Sequence, residues 1–198
     1  MAHIDYYFAT ISPFTYLAGN GLEDIAARHG AHIHYKPVDL MSIFPRTGGL
    51  PLGERHESRK AYRLQELQRI SKRTGLPINL HPAHFPTNPA PSAYAIIAAQ
   101  NAGGGSLGGL VQSLLRAIFV QEKNIAEDDV IADCLEENGF ARSLVLSGMM
   151  EGAETYVANT EEAVARGVFG APTYIVDDQL FWGQDRLSHL DDHLAGKG

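Results

Sequence analysis

The sequence predicts an α/β protein in which a small sheet is interrupted by a large all-helical insertion. Three stretches support this fold class. Residues 3–38 read as strand, helix and strand, residues 57–167 carry helical patterns, and residues 172–196 read as strand, strand and helix. Two strands joined by a helix form a parallel crossover, whereas two strands joined by a tight turn form an antiparallel hairpin. The strands of one mixed sheet therefore come from both ends of the chain.

The first segment contains two strands and one helix. Residues 3–9 are rich in aromatic and β-branched side chains, which is typical of a buried strand. Residues 13–29 repeat apolar side chains at steps of three and four, which predicts one helix, and Gly30 follows where a left-handed C-terminal residue is expected. Residues 31–38 alternate and predict the second strand.

The middle of the chain is helical apart from two irregular stretches. Residues 40–56 contain two prolines and three glycines and predict a loop, and residues 76–91 contain five prolines and cannot form one regular element. Residues 57–75 predict a polar amphipathic helix closed by Gly75. Further helices are expected at 92–105, 107–124, 127–139 and 141–167, the last broken near Gly148–Gly152.

The chain ends with strand patterns and a closing helix. Residues 172–177 and 179–183 flank Asp177-Asp178, which predicts a hairpin, and residues 185–196 predict a helix. This order of elements is that of a thioredoxin-like fold. The core is expected at residues 1–38 and 168–198, and the helical insertion at 39–167.

Composition limits the classes of partner. The net charge of −7 argues against a protein that binds a phosphate backbone, which needs a basic face. The single cysteine, Cys134, allows neither an internal disulfide nor a CxxC pair. No apolar run reaches the length of a membrane span, and the N-terminus lacks the pattern of a secretory signal. We therefore expect a cytoplasmic protein with neither nucleic acid nor membrane as a partner.

Ser12 allows two interpretations. Serine is a favoured N-cap and Pro13 suits the first helical turn, so Ser12 could simply cap the helix. Alternatively, a hydroxyl at this position, between the first strand and the first helix, could donate a hydrogen bond to a thiolate and lower its pKa. The local sequence does not decide between the two.

Two later motifs also have a structural and a functional interpretation. Pro172 could be an ordinary proline at a strand start, or the Ala171-Pro172 bond could be cis and expose backbone groups of Ala171 to a peptide ligand. Asp185 could be an acid in the first turn of a helix, or it could take the amino group of an amino-acid head group.

The histidines and most basic residues of the sequence do not predict a binding site. The histidines lack a cysteine or carboxylate set at metal spacing, so no metal site is predicted. Most basic residues of the helix at 57–75 are expected to form a solvated face; these are Arg59, Lys60, Arg63, Arg69, Lys72 and Arg73.

Three stretches resemble a known family when they are taken together. The segments "SPFTYLA", "GVFGAPTY" and "FWGQDRL" are similar to those of the 2-hydroxychromene-2-carboxylate isomerases, which belong with the kappa-class glutathione transferases and the DsbA-like oxidoreductases. The resemblance covers nearly the whole chain. The redox members carry cysteine where Ser12 stands, so the resemblance implies that glutathione supplies the sulfur.

The resemblance also implies roles for individual residues. Ser12 would activate the glutathione thiolate, and Ala171, beside Pro172, would pair with the glutathione backbone. The γ-glutamyl end would be held by Trp182, Gly183, Gln184 and Asp185, and the aromatic substrate by Phe44, Lys60 and Asn88.

The implied activity is a glutathione-dependent cis-trans isomerisation of a chromene carboxylate in aromatic ring degradation, carried out by a homodimer. A kappa-like glutathione transferase or peroxidase is an alternative with the same glutathione site. A redox-inactive binding module with a thioredoxin fold is an alternative from another class.

Overall fold

The computed structural model describes residues 1–197, and its centre is a four-stranded mixed sheet in the order β2-β1-β3-β4. β1 pairs in parallel with β2, and antiparallel with β3, which in turn pairs antiparallel with β4. The predicted crossover and hairpin are both confirmed. The strands are β1 (His3–Phe8), β2 (His32–Pro37), β3 (Thr173–Val176) and β4 (Gln179–Trp182).

Ten α-helices surround the sheet in the described part of the chain. Three of them accompany the strands: α1 (Pro13–Leu17), α2 (Gly21–His29) and α10 (Leu187–Leu194). The other seven follow one another between β2 and β3: α3 (Leu40–Thr47), α4 (Glu57–Thr74), α5 (Ala90–Ala102), α6 (Leu107–Phe119), α7 (Asp128–Glu137), α8 (Leu144–Ser147) and α9 (Met149–Ala165). The predicted thioredoxin-like fold with a helical insertion is confirmed.

Two predicted elements differ from the structure. The helix expected at 13–29 is divided at residues 18–20, where Gly19 adopts a left-handed φ of 59°. The loop expected at 40–56 contains α3, which Asp39 caps by accepting a hydrogen bond from the Met41 N–H at 2.9 Å. Burial of Ile43 and Phe44 stabilises this helix although Pro45 lies inside it.

The hairpin at the C-terminal end has the predicted tight turn. Asp177 and Asp178 have φ values of 48° and 60°, and positive φ at both central residues fits the twist of the flanking strands. The closing helix begins later than predicted, at Leu187, so Gln184 and Asp185 lie in a turn before it.

The sheet separates two apolar clusters because alternate side chains of a strand point to opposite faces. Tyr6 and Phe8 belong to the larger cluster, with side chains of α5, α6 and α7. Tyr7 and Ile175 belong to a smaller cluster with Ala163 of α9. Among the described residues, no helix is both long enough and apolar enough to cross a membrane.

Candidate active site

A cavity of about 790 Å³ lies where the segment after β1, α1 and the end of the β3–β4 hairpin meet α3 and α4. This volume is in the range of small-molecule sites in proteins. The thioredoxin-like core and the insertion both line it. The predicted site residues that line it are Ser12, Phe44, Ala171, Trp182, Gly183, Gln184 and Asp185.

Ser12 is the N-cap of α1. It has extended backbone angles, its Oγ accepts a hydrogen bond from the Thr15 N–H at 3.2 Å, and Pro13 follows it at the first helical position. The capping interpretation is therefore confirmed. The Ser12 hydroxyl can donate only over 3.5 Å to the carbonyl of Ala171, which is a weak contact, so its proton can be redirected towards a ligand in the cavity.

The backbone at Ala171 faces Ser12. The Ala171-Pro172 peptide bond is cis, as one of the two interpretations predicted, and Pro172 itself is buried without lining the cavity. Within the described residues, the Ala171 N–H donates to no acceptor, and its carbonyl has only the long contact with Ser12. Both groups are therefore free to pair with the backbone of a peptide ligand.

The turn after β4 forms the next part of the cavity wall. The Gly183 N–H donates to the Pro172 carbonyl at 2.9 Å, which ties this turn to the cis-proline loop. Gly183 has φ of 116°, and a Cβ there would lie 2.6 Å from Asp185 Oδ1. Asp185 is not a first-turn acid, since it precedes α10, and its carboxylate forms a half-exposed ion pair with Arg186 at 2.8 Å.

Trp182 extends the same wall, and 50% of its surface is exposed. Its ring packs against Phe169 with 4.8 Å between ring centroids. A Cβ at Gly170 would lie 2.5 Å from Trp182 Nε1, so the glycine leaves room for the indole. Sequence reasoning did not single out Phe169 and Gly170, although both precede the cis-proline motif.

Two predicted substrate residues do not line the cavity. The Lys60 ammonium lies 2.9 Å from Glu57 Oε1 in an ion pair. The Asn88 side chain accepts a hydrogen bond from the Ala90 N–H at 3.1 Å and holds the start of α5. The structure thus brings only Phe44 of the three predicted substrate residues to the site.

The insertion contributes a basic and aromatic wall, of which the sequence resemblance indicated Phe44 but none of the arginines. Its basic side chains are Arg55, Arg59 and Arg63, and its aromatic side chains are Phe44, Tyr62 and Phe85. Burial lowers the pKa of the Arg63 guanidinium, and the nearby charge of Arg55 lowers it further. The prediction that most basic residues of α4 form a solvated face is wrong only for Arg63 among the cavity arginines, because Arg63 is partly buried. Arg59 is exposed as expected, and both Arg59 and Arg63 line the cavity. The four-residue step between them was the signal that they share one helix face.

The single cysteine lies away from this cavity. Cys134 is buried in α7 among apolar side chains, and burial raises the pKa of its thiol to about 11. Among residues 1–197, no three His, Cys, Asp or Glu side chains are grouped so that they could hold a metal ion.

These features agree with the family to which the sequence is related. The model of the DSBA-like thioredoxin domain matches residues 3–195. The chain belongs to the DSBA-like thioredoxin family. Within this family, the 2-hydroxychromene-2-carboxylate isomerase of Sphingobium xenophagum is 32% identical over 200 residues, which cover 96% of this chain and 97% of that protein.

Other members of the family give a consistent picture. A Pseudomonas putida protein of the same name is 29% identical over 97% of this chain and 94% of its own length. The glutathione S-transferase kappa 2 of Caenorhabditis elegans is 23% identical over 97% of this chain and 91% of its own length. The solved structure of a 2-hydroxychromene-2-carboxylate isomerase superposes with a TM-score of 0.79 at 26% identity, covering 98% of this chain and 95% of that one. The resemblance inferred from the sequence is therefore confirmed.

Proposed function

We propose that the protein is a glutathione-dependent isomerase of an aromatic carboxylate, with 2-hydroxychromene-2-carboxylate or a close analogue as its substrate. The names of its relatives support an isomerase. The dependence on glutathione is supported by two groups that lie together in one cavity. These are the Ser12 hydroxyl, whose proton can be redirected towards a ligand, and the free backbone N–H of Ala171.

The sulfur of such a reaction has to come from a ligand. Dithiol chemistry starts from a protein thiolate, and the sequence resemblance places Ser12 at the position where the redox members carry cysteine. Cys134 cannot replace it, because that thiol is buried in α7 and its pKa of about 11 keeps it protonated at neutral pH.

The residues around Ser12 fit glutathione. The free N–H and the weakly engaged carbonyl of Ala171 would pair with the backbone of its cysteinyl unit, as in a short sheet. Asp185 is half exposed and would take the ammonium of the γ-glutamyl end, with Gln184 beside it and Trp182 as the apolar wall. A bound glutathione would supply a thiolate that adds reversibly to an unsaturated carbon of the substrate, so that a double bond becomes single and can rotate.

Ser12 would stabilise the charged form of that thiol. Its oxygen already accepts the Thr15 N–H, which fixes the position of the hydroxyl and leaves its proton available. A hydrogen bond donated to a thiolate lowers the thiol pKa, so more of the thiol is ionised at neutral pH. The cap and the proposed catalytic role thus use different atoms of one hydroxyl.

A conversion assay tests the proposal. Purified protein is mixed with 2-hydroxychromene-2-carboxylate, and ultraviolet absorbance is followed with and without glutathione. We expect equilibration with the ring-opened trans isomer only when glutathione is present, and no loss of free thiol. Consumption of the thiol would indicate a kappa-like transferase instead. Absence of both conversion and glutathione binding would leave a non-catalytic binding module.

A further inference from the structure

Three arginines of the insertion face the cavity without a neutralising partner. Arg55 precedes α4, and Arg59 and Arg63 lie on one face of it. Within residues 1–197, none of the three forms an ion pair with a carboxylate. Glu66 lies on the same wall, but it is bonded to Arg69. The wall therefore carries a local positive charge in a protein whose net charge is −7.

Two of these guanidinium groups are held in place by aromatic rings. Arg55 lies over the ring of Phe44 at 5.5 Å from its centroid, and its Nε donates to the Leu50 carbonyl at 2.8 Å. Arg63 lies over the ring of Phe85 at 5.8 Å. Stacking on a ring orients a guanidinium and leaves its edge N–H groups free to donate.

This arrangement is unfavourable without a ligand. Partial burial and the charge of Arg59 lower the pKa of Arg55, and burial and the charge of Arg55 lower the pKa of Arg63. Like charges that lose water without gaining a counter-charge destabilise a protein. An anion bound between them would remove this cost, and a carboxylate matches the fork of a guanidinium with two parallel hydrogen bonds.

We propose that Arg55 and Arg63 bind the carboxylate of the aromatic substrate, with its ring against the cavity aromatics. This inference rests on the proposed function and assigns the substrate class of the same site. The aromatic surroundings favour this carboxylate over those of glutathione, which has a polar peptide backbone. The sequence resemblance implied a substrate contact for Lys60, and this proposal gives the contact with the substrate carboxylate to Arg55 and Arg63 instead.

Calorimetric titration with 2-naphthoate and with 2-naphthamide tests the assignment. The two probes share one ring system and differ in charge, and neither requires turnover. We expect the wild-type protein to bind naphthoate on the order of 10-fold more tightly than naphthamide. Arg55→Gln and Arg63→Gln should each lose most of this preference.

Matched controls lie on the same helix. Arg73→Gln removes an equal charge from an exposed position of α4 away from the cavity, and Lys60→Gln tests the residue that the resemblance indicated. Both variants should bind naphthoate as the wild type does. Arg63→Lys keeps the charge without the planar fork and should recover part of the affinity for naphthoate. This variant also tests the role of Arg63 if Arg63→Gln fails to fold.

Three results would overturn the assignment. The first is equal binding of naphthoate and naphthamide by the wild type, and the second is unchanged naphthoate binding by Arg55→Gln and Arg63→Gln. The third is that these variants lose affinity only for glutathione in a parallel titration, which would assign the two arginines to glutathione. If glutathione does not bind while naphthoate binding depends on both arginines, the proposed function fails and the carboxylate subsite stands.

Discussion

Two clusters of basic side chains in this protein differ in how their charges are neutralised. Between the sheet and α9, the Lys36 ammonium lies 2.7 and 2.8 Å from the two carboxylate oxygens of Glu162 and 3.2 Å from Asp5. Arg166 pairs with the same two acids and contacts Tyr7. We call Asp5, Lys36, Glu162 and Arg166 the paired network.

The cavity arginines have no such acids. Arg55 and Arg63 contact aromatic rings and a backbone carbonyl, and no carboxylate of residues 1–197 neutralises them. The paired network therefore shows that cations in this fold can have carboxylate partners where they contribute to stability. We infer that the cavity cations are unpaired because their counter-charge is a ligand. Substitutions in the cavity should therefore affect binding and turnover, and substitutions in the paired network should affect stability.

The largest expected effect is that of Ser12→Ala on turnover. Loss of the hydroxyl removes the hydrogen bond proposed to stabilise the thiolate, and we expect kcat/KM with glutathione to fall on the order of 100-fold. The cap is also lost, which costs about 1 kcal/mol of unfolding free energy. Steady-state kinetics and urea denaturation measure the two effects. Turnover equal to that of the wild type would leave Ser12 with capping alone.

Lys36→Met should show the opposite pattern. The Lys36 side chain is only 8% exposed, and its removal leaves Asp5 and Glu162 close together with Arg166 as their remaining strong cation. His34 also lies 3.7 Å from Asp5, but burial lowers its pKa. We expect the unfolding free energy to fall by about 2 kcal/mol, below the usual cost of breaking a fully buried pair because both acids are partly exposed. Glutathione and naphthoate affinities should not change below the melting temperature. A loss of ligand affinity in the folded variant would contradict the claim that the paired network contributes to stability and not to binding.

The paired network should also make stability depend on pH. Burial opposes ionisation of both acids, but other interactions outweigh it, so the pKa of each acid lies below its ordinary value. For Asp5 these are hydrogen bonds and charges from Arg166 and Lys36, and for Glu162 they are hydrogen bonds from Lys36 and Tyr7 and the charge of Lys36. A depressed pKa stabilises the fold above the unfolded pKa, and this contribution disappears as pH falls through the folded pKa. Stability should thus decline below about pH 4, with a shallower slope in Lys36→Met. Urea melts across this range measure it, and equal slopes would argue against the network.

The smallest effect is expected for the stability of Arg63→Gln. The variant loses the contact with the Phe85 ring, but it also removes a charge that burial and Arg55 oppose. These contributions have opposite signs, so the melting temperature should remain close to that of the wild type. A large fall would indicate that Arg63 is a structural residue like Lys36.

Much of the fold was predictable because its patterns are local. Alternating strands, glycine caps at Gly30 and Gly75, and the Asp177-Asp178 turn each depend on a few neighbouring residues. The helix α3 was missed because Pro45 and the following glycines are typical of loops. The buried contacts of Ile43 that stabilise it come from distant parts of the chain, in the cluster with Tyr7, Ala163 and Ile175.

The site residues that could be predicted from the sequence are those that lie in short motifs. Ser12, Ala171 and the turn at 183–185 lie in recognisable segments, and the structure brings them to one cavity. The arginine wall was not predictable, because Arg63 meets Phe85 through tertiary packing. Which face of a polar helix turns towards a cavity depends on such packing and not on the helix sequence alone.

The most direct test of the central claim is a titration of the thiol of bound glutathione. Thiolate absorbance is recorded against pH for glutathione free in solution, bound to the wild type and bound to Ser12→Ala. We predict that the wild type lowers the thiol pKa below the value of about 8.5 for an unperturbed thiol and that Ser12→Ala raises it back towards that value. A thiol pKa that is the same free and bound, or the same in both proteins, would contradict the account.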